Sequence, residues 1–168
     1  EEFELGTFNL LRSLPISIER IIFAKILSQI FLLAIILVPT IIFIYSIGTL
    51  SSPAFNIDFG IIFSAYISLL LLIIVFVCLS ALASSMANKQ ALSFVLGVFF
   101  NFVFWQGPQE ISKIFNFDFT FQSLSYHFQN ISRGVIDFSS IGFYLGLILM
   151  IIGLIILRFR WNYLKSKI

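Results

Sequence analysis

The sequence predicts an all-α fold: a polytopic helical bundle that lives in a membrane. Hydrophobic residues make up 60% of the 168-residue chain and charged residues 11%. A soluble domain carries roughly 25% charged residues, so this chain cannot cover a water-facing surface and lipid must be its main solvent. Its mean hydropathy of +1.06 agrees. The charges are also sorted: residues 26–47, 61–87, 91–106 and 138–157 contain no Asp, Glu, Lys, Arg or His.

Each of those stretches is read as a membrane span. A span needs roughly 20 apolar residues at about 1.5 Å rise per residue. The first, second and fourth stretches satisfy that, whereas the third reaches only about 24 Å and is expected to be short or broken. Unpaired backbone is too costly in lipid, and the long aliphatic runs lack the alternation of barrel strands, so the spans are helices. Pro39 is expected to kink the first one, with the freed carbonyl satisfied by neighbouring helices.

The connections differ in length. Residues 48–60 form a turn-rich loop and Asn88-Lys89-Gln90 a tight hairpin. Residues 107–137 form a long outer, periplasmic loop, and residues 158–168 a basic tail. With four spans, both ends and the Lys89 hairpin fall on one side. That side holds Arg12, Arg20, Lys25, Lys89, Arg158, Arg160, Lys165 and Lys167, while the other holds Lys113 and Arg133. Eight against two places both visible ends in the cytoplasm.

Two polar segments stand outside the spans. Residues 1–25 read as two short helices on the cytoplasmic side, Thr7 capping the first, Ser17 the second, and Pro15 punctuating between them. Phe8 and Leu11 share a face with Arg12 turned away, the pattern of an interfacial helix. In the outer loop, Phe121, Leu124, Phe128, Ile131 and Val135 recur at helical spacing, which predicts an amphipathic helix resting on the outer leaflet. Residues 115–119 alternate with period two and are read as extended or interfacial.

Little in the chain points to catalysis. There is no phosphate-binding P-loop and no HExxH, CxxC or GxSxG motif. Cys78, the single cysteine, is read as packing within an apolar run. His127, the single histidine, is read as a surface or interfacial residue. Gln29, Thr40, Ser64, Ser68, Ser80, Ser84, Ser93 and Asn101 are polar residues inside spans. Ser64 and Ser68, one turn apart, face either a partner helix or a pathway, and Gly142 and Gly146 form a GxxxG suited to helix packing. Ion-coupled carriers usually bury Asp, Glu or His in their spans. Since these spans hold none, any energy coupling has to come from another polypeptide.

The segment before the first span resembles a known element. Glu1-Glu2, Glu4, Gly6-Thr7, Leu10-Leu11, Leu14-Pro15-Ile16-Ser17 and Lys25 are similar to the cytoplasmic elbow of ABC-2 type transporter permeases. Residues 56–60, 83–90 and the run Ile131-Ser132-Arg133-Gly134-Val135-Ile136-Asp137 resemble the gliding-motility-associated permease subfamily of Bacteroidetes. The resemblance implies an inner-membrane exporter subunit of six spans, of which this chain would be the C-terminal part carrying four. It implies a cytoplasmic ABC ATPase, which would bind ATP and Mg so that this chain holds no cofactor and is not itself an enzyme. It also implies a second permease subunit, as a homo- or heterodimer, and no nucleic acid. Glu4, Gly6, Thr7, Leu10, Leu11, Pro15, Ser17 and Lys25 would transmit force from the ATPase, and Ser132, Arg133, Gly134 and Asp137 form the outer-loop motif. An ABC-2 exporter for copper-site maturation, drugs or lipids, or a non-transporting scaffold of a motility or secretion apparatus, are the alternatives.

Overall fold

A computed structural model of the chain describes residues 18–51, 57–87, 89–115, 120–135 and 137–165. All regular elements among the described residues are helical: α1 (Ile18–Leu37), α2 (Thr40–Leu50), α3 (Phe59–Met86), α4 (Gln90–Phe115), a 3₁₀ turn (Thr120–Gln122), α5 (Leu124–Ser132) and α6 (Phe138–Lys165). Four segments are long and apolar enough to cross a membrane: Glu19–Leu50, Phe59–Met86, Gln90–Ile114 and Phe138–Trp161. The sequence-predicted elbow lies outside the described residues except at its end, where α1 starts at Ile18 and carries an exposed Lys25.

α3 is the central helix. It packs against α4, α6, α5 and α1, and its buried face supplies Leu72, Val75, Val77, Cys78 and Leu79 to the core. α1 adds Ile22 and Ile26, and α6 adds Tyr144, Leu147, Ile151 and Ile155. The outward faces stay apolar: Phe31, Phe43, Phe94 and Leu149 are each at least two-thirds exposed. In water such surfaces would aggregate, but in a bilayer they are the lipid contact.

The first span breaks at Pro39, and the repair is mostly local. Pro39 has no N–H, so Val38 N–H donates to Ile35 O instead, at 3.1 Å, and Ile41 N–H turns to Val38 O. The Leu37 carbonyl, thereby freed, accepts from the Thr40 hydroxyl. Tyr66 on α3 donates to Thr40 in turn, the one contribution from a neighbouring helix. α3 begins more conventionally. The Asp58 carboxylate accepts from Gly60 N–H and Ile61 N–H, a cap that satisfies two otherwise orphaned donors.

The third span does not stop near Gln106. α4 runs 26 residues, through Gly107 and Pro108, to Phe115, a length of about 39 Å. The expectation of a short span failed because it ended the helix at Gly107-Pro108, ahead of the charged residues. Glu110 and Lys113 instead pair one turn apart at 2.7 Å, in exposed positions beyond the apolar part. The outer loop is correspondingly shorter than residues 107–137.

Glu19, at the start of α1, and Arg160, near the end of α6, are joined by a 2.7 Å ion pair. The two ends of the described bundle therefore lie together. The α3–α4 hairpin carrying Lys89 meets them there, since Ile22, Ser84, Gln90 and Phe159 border one cleft. This is the basic end, and the opposite end carries α5.

Candidate functional site

At the end opposite the basic one, α5 is a cap packed into the bundle, against α3, α4 and α6. It buries Leu124, Ser125, His127 and Ile131, whereas Phe121 and Val135 are about two-thirds exposed. The helical spacing misled because Phe121 lies in the preceding 3₁₀ turn and Val135 lies past the helix end, so neither belongs to the helix face. What α5 turns inward is polar as well as apolar, and every polar group there has a partner. Gln109 donates to Ser125, Ser125 to Ser123, and Ser123 to Trp105 O, a chain that fixes the cap to α4. Ser68 on α3 donates to Phe128 O at 3.1 Å.

His127 sits in the middle of this cap at 4% exposure, so the surface or interfacial placement read from the sequence is corrected. Its Nε2 lies 2.8 Å from Phe121 O, and a carbonyl only accepts, so Nε2 carries the proton. Nδ1 then accepts from the Ser140 hydroxyl at 2.9 Å. The ring stacks on Phe143 with centroids 4.2 Å apart. Burial lowers the His127 pKa below its ordinary 6.5, and the Phe121 carbonyl and Asp137 only partly oppose that.

The outer-loop run singled out from the sequence folds as a stop and a start. Gly134, at φ +94°, ends α5 with its N–H on Ile131 O. Asp137 opens α6, its carboxylate accepting from Ser139 N–H at 3.2 Å. Ser132 bonds only back to Gln129 O, and Arg133 is exposed. A Cβ at Gly134 would lie 3.3 Å from Ile61, in a backbone region that side chains rarely adopt. Gly134→Val is therefore expected to lower stability by about 2 kcal/mol, read as a lower thermal midpoint in detergent. An unchanged midpoint would show that this stop is dispensable.

At the basic end a cleft of about 670 Å³, lined by both polar and apolar side chains, opens between helices. α3 forms its floor with Ser80, Ser84 and Ser85, and α1 contributes Lys25 and Gln29. α4 adds Gln90, Ser93 and Asn101, with Phe94 and Val98 on the rim. Asn101 donates to Ser80 Oγ at 3.1 Å, tying α4 to α3. The other end of that amide, Oδ1, is buried without a partner. Five of the eight polar residues noted within the spans, Gln29, Ser80, Ser84, Ser93 and Asn101, thus converge here.

A family model described as ABC-2 family transporter protein matches residues 1–162. The chain belongs to that family. No curated protein and no solved structure matches it. Membership makes this a multi-pass membrane permease of the ABC transporter class. The other site candidates of this ABC-2 protein separate in space. Ser64 is buried and bonds back to Ile61 O, and Ser68 holds the cap, so both serve packing in the N-terminal half of α3. Gly142 and Gly146 face open space on α6, with nothing among the described residues within 4 Å of an added Cβ. Glu4, Gly6, Thr7, Leu10, Leu11, Pro15 and Ser17 lie outside the described residues. The cleft as a unit was missed. Its trace in the sequence is the one-turn spacing of Ser80 with Ser84 and of Ser93, Gly97 and Asn101.

Proposed function

We propose that the chain is the membrane-spanning subunit of an ATP-driven ABC-2 exporter of the gliding-motility type, in the bacterial inner membrane with both visible ends cytoplasmic. The observation that carries this is the family match over residues 1–162, which takes in the four apolar spans and the segment before them. Gathering of basic residues at the end where α1 begins and α6 ends supports the orientation. The gliding-motility assignment rests on the likeness of residues 131–137, whose helix stop and cap give that run a structural purpose.

In this reading a separate cytoplasmic ATPase binds ATP and Mg, and its closure pushes on the segment around Phe8–Ser13. Pro15 and Ser17 set the angle between that segment and α1, and Lys25 holds the start of the span at the headgroups. A second permease subunit completes the pathway, and the spans rock as rigid bodies. Capture of the full chain from native membranes is expected to bring down a P-loop ATPase and a second permease copy or homologue together. Capture of the chain without any P-loop ATPase would favour the scaffold reading.

A further inference from the structure

The two halves of the first span are anchored unequally. α1 packs against α3 and buries Ile22 and Ile26, which share one face at a spacing of one turn. α2 has no such face. Ile41, Ile42, Phe43, Tyr45, Ile47 and Leu50 are each more than half exposed, and by helical periodicity they cover most of the circumference. The buried position of α2 is Gly48.

The joint between the halves is built from tight turns. Val38 N–H to Ile35 O, Ile41 N–H to Val38 O and Ile42 N–H to Pro39 O are bonds between residues three apart, each of 3.1 Å. Short 3₁₀ stretches within a helix, and prolines above all, are where helices bend. Elsewhere along a span a bend would break backbone bonds, which lipid does not replace. Movement within this span is therefore confined to the joint, where Pro39 has already interrupted the regular ladder.

Side chains, not backbone, brace that joint. The Thr40 hydroxyl reaches back across it to Leu37 O and is itself held by the Tyr66 hydroxyl of α3. Tyr66 stands on the fixed side. Ser64 and Ser68, on either side of it in α3, are buried, and Ser68 is bonded to Phe128 O of the cap. The bond from Tyr66 to Thr40 can open without costing either helix a backbone hydrogen bond.

We propose that Pro39 is a hinge and that the Tyr66–Thr40 bond is its catch. α2 pivots on the joint, lying toward α3 when the bond is made and away from it when the bond is broken, while α1 stays on the bundle. The motion opens and closes the space between α2 and α3 at the end opposite the basic one. The first span then moves as two arms, unlike the rigid body that the ATPase-driven reading makes of each span. The hinge belongs to this chain whatever drives it, so it stands or falls separately from that reading.

The test is electron–electron double resonance on the full chain in phosphatidylcholine nanodiscs, in a Cys78→Ala background. Spin labels on Ser46→Cys and Phe63→Cys, both exposed positions, read α2 against α3. Labels on the exposed positions Leu27→Cys and Met86→Cys read α1 against α3 below the joint. Two distances are expected from the first pair and one from the second. Tyr66→Phe, which removes the donor, is expected to raise the ratio of long to short distance in the first pair by roughly threefold. Pro39→Ala, which restores the missing N–H, is expected to leave one narrow distance, with helicity retained in both variants. A single narrow distance from the first pair in the unmutated chain overturns the hinge. So do two distances that persist in Pro39→Ala, or a second pair that moves with the first. A ratio unchanged by Tyr66→Phe overturns the catch.

Discussion

Leu11→Asp is expected to cut ATP-driven turnover of the transporter by more than an order of magnitude while leaving the chain inserted in the membrane. Residues 26–47, 61–87, 91–106 and 138–157 hold no Asp, Glu, Lys, Arg or His to couple an ion gradient, and the family places the source of motion in a partner. In the proposed orientation the ATPase acts from the side where the basic ends meet, through the segment that precedes α1. An apolar anchor in a protein interface is commonly worth about 2 kcal/mol, or roughly thirtyfold in affinity. A carboxylate in its place adds a desolvation cost. Pro15→Ala is expected to retain ATPase binding but reduce the transport achieved per ATP, because it loosens the angle rather than the contact. Parallel measurement of hydrolysis and transport separates the two. Full transport by Leu11→Asp would remove the elbow from the mechanism.

His127→Ala is expected to destabilise the protein by about 2–4 kcal/mol. It removes the bonds to Phe121 O and Ser140 and the stack on Phe143, and it leaves a void at a site only 4% exposed. Ser132→Ala, whose hydroxyl bonds only back along its own helix, is the matched control and should change stability by less than about 0.5 kcal/mol. The same residue sets a pH dependence. Because the native pKa of His127 lies below 6.5, the unfolded chain binds more protons in that window, and stability rises with pH across it. The contribution is therefore whole above pH 6.5 and is lost as pH falls through the native pKa. Thermal midpoints taken from pH 8 to pH 5 should fall on the acid side in the wild-type chain and fall less in His127→Ala. Parallel curves for the two proteins would deny the histidine this role.

The spans were legible because lipid imposes a single rule on every residue of a long stretch. Excluding charge located α3 and the apolar part of α6 to within a few residues, and Pro39 announced the break in the first span. The rule failed where helices continue past the hydrocarbon. α4 continues through Pro108, which has no N–H to donate to Phe104 O, and carries the exposed pair Glu110 and Lys113 beyond its apolar part. It failed again at α5, since spacing along a short helix does not reveal whether the facing surface is lipid or protein. The polar partners of Ser123, Ser125 and His127 come from α4 and α6, as far as 18 residues away. The cleft was the least legible feature. Its polar residues come from α1 and from the consecutive helices α3 and α4, and each alone reads as an ordinary interhelical hydrogen bonder. Only their convergence, and the unpaired oxygen of Asn101, sets them apart.

Entry of force at the basic end is tested most directly by a photo-crosslinking residue placed at position 11 of the full chain in native membranes. An ATP-sensitive adduct with a P-loop ATPase is the expected result, with no such adduct from the same probe at Phe121 in the outer cap. An ATPase adduct from position 121, or none from position 11 in membranes where the ATPase is present, would contradict it.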